Sequence, residues 1–128
     1  MSTVRERFEQ ALHHLDAEGD AGPMVELTAP DAVLTKLDRH HEATGPDGAR
    51  SFWEEYRSVF DTISTEFTRS LDDDRGSALE WTSRGTRTGG GELTYSGVTV
   101  IDVAGEQVTG VRTYYDSAAF LQETAGTA

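Results

Sequence analysis

Two stretches of the chain place apolar residues every three or four positions, and the second half places them at every other position. In the first stretch Val4, Phe8, Ala11, Leu12 and Leu15 fall on one face, which predicts a helix over residues 3–18. Ser2 or Thr3 can cap it, with Glu6 placed for a capping box. Gly19-Asp20-Ala21-Gly22 ends it, and Pro23 to Leu27 reads as a short second helix with an early proline. Ala29-Pro30-Asp31 reads as a turn. Ala32 to about His40 reads as a strand, with Val33, Thr35 and Leu37 on one side and Leu34, Lys36 and Asp38 on the other. The second helical stretch carries Phe52, Trp53, Tyr56, Val59, Phe60 and Ile63, which predicts a helix over 48–62 capped by Asp47.

Four strands are then expected in succession: Ser64 to Leu71, Ala78 to Thr88, Leu93 to Val103 and Val108 to Asp116. Their turns are Asp72-Asp73-Asp74-Arg75-Gly76, the three glycines 89–91, and Ala104-Gly105-Glu106-Gln107. A short helix closes the chain, and residues 123–128 read as a tail. A long antiparallel meander after a helical first half predicts an α+β domain, its curved sheet wrapped around helices and leaving a pocket. In the longest strand Leu79, Trp81, Ser83 and Gly85 should face the helices, with Glu80, Thr82, Arg84 and Thr86 on the outer face. The periodicities aim Phe8, Leu12, Phe52, Phe60, Leu79 and Trp81 into one core.

At 128 residues the chain reads as a single domain, 1–128. Its net charge of −12 changes the picture of its partners. So acidic a chain will not bind nucleic acid or an anionic membrane by bulk electrostatics. Lys36 is its only lysine. Abundant acid with almost no lysine resembles proteins of salt-loving microbes; a GC-rich genome, which favours Arg over Lys, is the alternative. With no cysteine, disulfides, thiol nucleophiles and Cys-ligated metals are excluded. No apolar run is long enough to span a membrane. The start of the chain lacks a signal-peptide core, so the cytoplasm is the expected location.

Several segments together carry a family resemblance. They are Ala29-Pro30-Asp31-Ala32-Val33, Gly45 leading to Phe52-Trp53, Trp81-Thr82-Ser83-Arg84-Gly85-Thr86, and Tyr114-Tyr115-Asp116 followed by Phe120-Leu121-Gln122. In that order and spacing they resemble the nuclear transport factor 2-like (ketosteroid isomerase-like) superfamily, in its SnoaL-like branch of polyketide cyclases and relatives. The resemblance implies a cone-shaped sheet with three helices over its concave face. It also implies a small-molecule pocket for an apolar, polyketide-like or steroid-like molecule, and a homodimer through the outer sheet face. The chemistry it implies is cofactor-independent proton transfer beside a carbonyl, as in an isomerase or cyclase. The alternative is a non-catalytic ligand-binding or dimerising accessory protein. Relatives rim the pocket with a longer loop than Thr88-Gly89-Gly90-Gly91-Glu92.

Asp116 has two readings: a pocket carboxylate acting as acid or base, or the N-cap of the terminal helix. The first would raise its pKa and the second would lower it. Ketosteroid isomerases of the superfamily carry their base on the strand after the second helix. An ungapped match puts Lys36 or Thr35 at that position, and a two-residue shift puts Asp38 there. An exposed strand-end carboxylate is the plainer reading of Asp38. Tyr114 and Arg112 share one face of the last strand, with Val111, Thr113 and Tyr115 on the other. Facing inward, Arg112 and Tyr114 would hold a carboxylate or enolate oxygen; the competing reading pairs Arg112 with Glu80 across the sheet. Trp53, Tyr56 and Trp81 offer an aromatic wall for a flat ligand, or plain core.

His40 is a candidate proton shuttle or a surface residue. No metal site is expected, because His40-His41 on a strand and His13-His14 on a helix point their paired rings apart. Asp72-Asp73-Asp74 lacks the glycine and distal glutamate of a calcium loop.

Overall fold

The computed structural model describes residues 3–36 and 42–120. Asp38 and His40 lie outside the described residues, as do residues 123–128. Helix α1 spans Val4–Glu18. Its capping box is complete. The Thr3 hydroxyl accepts the Glu6 N–H at 3.1 Å, and the Glu6 carboxylate accepts the Thr3 N–H at 2.9 Å. Gly19 ends the helix in the left-handed region, with φ 72°, where a side chain would be strained. Helix α2 spans Gly22–Leu27.

Strand β1 runs over Thr28–Thr35, earlier than its alternation alone suggests. The segment read as a turn, Ala29-Pro30-Asp31, lies inside it. Between Thr28 and Val33 the pairing with the neighbouring strand slips, and Pro30, which has no N–H to give, sits in that irregularity. A two-residue strand β2, Ala43–Thr44, pairs antiparallel with Val33 and Leu34 and is too short to leave a periodic signal. Helix α3 spans Gly45–Ser58, so Asp47 lies in its first turn rather than at its cap. Phe60 and Ile63 consequently belong to the next strand. The Arg57 guanidinium donates to the Phe60 carbonyl at 2.7 Å, tying the helix end to that strand.

Strands β3 (Phe60–Asp73), β4 (Gly76–Arg87), β5 (Glu92–Ala104) and β6 (Gln107–Tyr115) form the antiparallel meander. In the first turn the Asp73 carboxylate accepts the N–H groups of Arg75 and Gly76 at 2.7 and 3.0 Å. The sheet order is β2-β1-β6-β5-β4-β3, with β1 parallel to β6. The sheet is curved and not closed, and the three helices cover one side of it. Strand β4 alternates as its sequence demands: Ser77, Leu79, Trp81 and Ser83 are buried, while Glu80 and Arg84 are exposed.

The apolar interior divides into two clusters rather than forming one core. Phe8, Leu12, Trp53 and Leu79 belong to the cluster under the helices, with Phe52 packed against it. Phe60, Ile63, Trp81, Leu93 and Tyr95 form the other. Tyr56 and Phe67 touch both. Periodicity tells which way each side chain points; it does not tell that the two sets stop short of meeting.

Candidate functional site

A cavity of about 120 Å³ opens between the two clusters. Helices α1 and α3 contribute Phe8, Leu12, Trp53 and Tyr56; the sheet contributes Trp81, Tyr95, Thr113 and Tyr115. Its walls are mostly apolar. An empty apolar cavity of roughly 150 Å³ accepts benzene, so the size here fits one six-membered ring. Trp53 and Trp81, both tryptophans of the chain, line it together with Tyr56. Trp53 and Tyr56 meet edge to face at 6.0 Å, as do Trp81 and Tyr95 at 5.2 Å.

Polar groups reach the cavity in three places. The Trp81 indole donates to the Thr99 hydroxyl at 2.9 Å, which is bonded to the Thr113 hydroxyl at 2.9 Å. The Thr65 and Ser83 hydroxyls bond at 2.8 Å, and His13 Nε2 lies 3.0 Å from the Thr65 carbonyl oxygen. The third place is the Tyr56 hydroxyl, and behind it, off the cavity lining, stands a carboxylate that the sequence reading missed. The Tyr56 hydroxyl donates to Asp16 Oδ1 at 2.7 Å. Asp16 is only 5% exposed, and its other oxygen has no hydrogen-bond partner among the described residues. The Nε1 of Trp53 is likewise buried and unpaired. Buried polar atoms without partners are uncommon in folded proteins and invite a ligand or a water.

Burial pushes the Asp16 carboxyl above the ordinary aspartate range; the hydrogen bond from Tyr56 pulls the other way. Tyr56 itself is held well above the ordinary tyrosine value by burial and then by the Asp16 charge. Burial and the nearby Tyr115 do the same to Tyr95. Both phenols therefore stay protonated and able to donate. A signal for Asp16 was present in the sequence. It falls four residues after Leu12 and directly after Leu15, on the apolar stripe of α1, where an acid is out of place.

The raised Asp16 pKa has a consequence for stability. A group that holds its proton more tightly when folded supports the fold below the ordinary aspartate pKa of about 4. That support is lost as pH rises through the folded value. Asp16→Asn is therefore expected to gain on the wild type, in melting temperature, between pH 4 and pH 8. Parallel melting curves across that range would contradict the shift.

The other candidates are placed as follows. The Asp116 carboxylate is exposed and accepts the Ala118 N–H at 3.1 Å, as a cap to the helical residues that begin there. Tyr114 is 38% exposed on the outer face, and its neighbour Tyr115 lines the cavity. The alternation of β6 put the two on opposite sides, and Val111, Thr113 and Tyr115 took the inside because they share their side with the core. Arg112 also faces outward and forms a two-pronged pair with Asp102, at 2.6 and 3.3 Å, rather than with Glu80. Asp116, Tyr114 and Arg112 are thus not brought together in the cavity. Among the described residues no three His, Asp or Glu side chains gather as metal ligands. Among the described residues no helix is long and apolar enough to cross a membrane.

A model of the SnoaL-like domain matches residues 5–111, most of the chain. The chain belongs to that family. No curated protein matches it in sequence. Solved structures share its fold. A nuclear transport factor 2-like protein from Anabaena variabilis superposes with a TM-score of 0.81 at 18% identity, covering 91% of this chain and 89% of the other. A candidate SnoaL-like polyketide cyclase from a Jannaschia species gives 0.76 at 15%, covering 96% and 94%. TerC, co-crystallised with polyporic acid, gives 0.81 at 14%, covering 97% and 99%. At such identities these likenesses establish the SnoaL-like fold alone.

Proposed function

We propose that this SnoaL-like domain binds a single-ring, largely apolar ketone or enol in the cavity and moves a proton beside its carbonyl without a cofactor. The observation that carries the reading is the Tyr56–Asp16 pair: Tyr56 lines a mostly apolar cavity, and its hydroxyl is backed at 2.7 Å by the buried Asp16 carboxyl. Tyr56 can turn its proton toward a ligand oxygen once Asp16 takes up a proton, which its burial favours, and donates to Tyr56 in its place. A donor backed in this way strengthens as negative charge builds on an enolate oxygen. TerC, similar in fold, was co-crystallised with polyporic acid, which supports ligand binding here.

The base would come from the segment after Lys36. Lys36 lines the cavity, and Asp38 follows it two residues on in the sequence. Asp38 is our proposal for the base, with His40 as a proton shuttle.

The non-catalytic reading predicts a cavity lined by hydrocarbon only. The buried carboxyl and the phenols around this one favour the enzyme. The test is exchange of the α-hydrogens of cyclohexanone in D₂O, followed by proton NMR. The protein is expected to speed their loss above the buffer rate. Binding without acceleration would leave a ligand carrier and end the catalytic reading.

A further inference from the structure

Among the described residues that line the cavity, Lys36 carries the one charged side chain. It is also the only lysine in a chain of net charge −12. It follows directly on β1, whose last residue, Thr35, pairs with Arg112 of β6. Its side chain lines the cavity and is 38% exposed, so it is reached by water as well. Among the described residues it pairs with Glu55 on α3, 3.6 Å away and 72% exposed. That separation is longer than a hydrogen bond, and an exposed pair of this kind holds weakly. No carboxylate stands among the described lining residues to neutralise the ammonium from inside the cavity.

The mostly apolar cavity therefore offers a ligand two unlike polar groups, the Tyr56 hydroxyl backed by Asp16 and the Lys36 ammonium. We propose that the ligand is a small cyclic oxo acid. Its ring sits among the aromatic side chains, its carbonyl oxygen meets Tyr56, and its carboxylate pairs with Lys36. This assignment rests on the reading that the cavity takes a small apolar molecule, and it adds the charge that such a molecule carries. The acidity of the whole chain does not oppose it. At physiological salt the field of distant carboxylates is screened over about 8 Å, whereas Lys36 would touch the bound acid.

The test compares two compounds of nearly the same shape, cyclohexanecarboxylate and the neutral cyclohexyl methyl ketone. The carboxylate is transparent where tryptophan is excited and the ketone absorbs only weakly there, so intrinsic fluorescence, corrected for that absorbance, reports occupancy of a cavity that both tryptophans line. The carboxylate is expected to bind the wild type roughly tenfold more tightly, the scale of one charge-assisted hydrogen bond. Lys36→Met should erase that preference and leave the ketone's affinity within about twofold. Lys36→Arg should keep the preference, which separates loss of charge from misfolding. Glu55→Gln should tighten the carboxylate further by releasing the ammonium. Equal binding of the two compounds to the wild type, or a preference that survives Lys36→Met, overturns the oxo-acid assignment and leaves the cavity reading standing. If neither compound perturbs the fluorescence, the cavity reading itself falls, and this assignment with it.

Discussion

Trp81→Ala is expected to destabilise the domain by about 3–5 kcal/mol, the usual range for deleting a large buried aromatic side chain. Trp81 is 8% exposed, packs edge to face on Tyr95, and ties its indole N–H to Thr99. Its loss would merge the 120 Å³ cavity with the space the indole fills, and the curved sheet cannot collapse readily around so large a void. Typical domain stability is about 5–15 kcal/mol, so the variant would keep only part of its reserve. Urea denaturation monitored by far-ultraviolet circular dichroism measures the change. Trp81→Phe should recover most of it, since a ring would again face Tyr95. A loss below about 1 kcal/mol would show that the indole is not packed between β4 and the cavity as described.

Tyr56→Phe is expected to slow α-hydrogen exchange by about 100-fold, the scale of removing one donor to a developing oxyanion. The ring and its edge contacts with Trp53 and Phe60, at 6.0 and 5.8 Å, are kept, so the chain should remain folded and able to admit the ketone. The loss should appear in kcat more than in KM, because the hydrogen bond matters most once charge has moved to oxygen. Asp16→Asn, which leaves an acceptor for Tyr56, should cost less and should also remove from the pH–rate profile the limb that Asp16 contributes. Exchange that is unaffected by Tyr56→Phe would remove Tyr56 from the chemistry and leave the pair a packing feature.

The elements legible in the sequence were those with a long period or a turn of fixed chemistry. Helix α1 announces itself through Thr3, Glu6 and the stripe from Val4 to Leu15, and β4 through its alternation around Leu79, Trp81 and Ser83. Boundaries were less legible where two patterns overlap. Phe60 and Ile63 continue the spacing of α3, yet they fit β3 equally well once Arg57 holds the Phe60 carbonyl. Strand β2 was invisible because two residues carry no period.

The candidate site was legible only in part. Trp53, Tyr56 and Trp81 were read from their aromatic character, and all three line the cavity. Asp16 was passed over because one acid within a helix says nothing by itself until its neighbours on the stripe are seen to be buried.

The sequence alone determined the family, the order of the longer elements and the parity of their strands, because these follow from local spacing. It fixed that Tyr114 and Tyr115 oppose one another, and that Asp116 stands where a helix begins. Only the tertiary structure decided which tyrosine faces in, that Arg112 pairs with Asp102, and that Asp16 of α1 meets Tyr56 of α3 forty residues away. Alternation and periodicity are symmetric between inside and outside. That symmetry is broken only when sheet and helices close on each other and one face of each is taken from water.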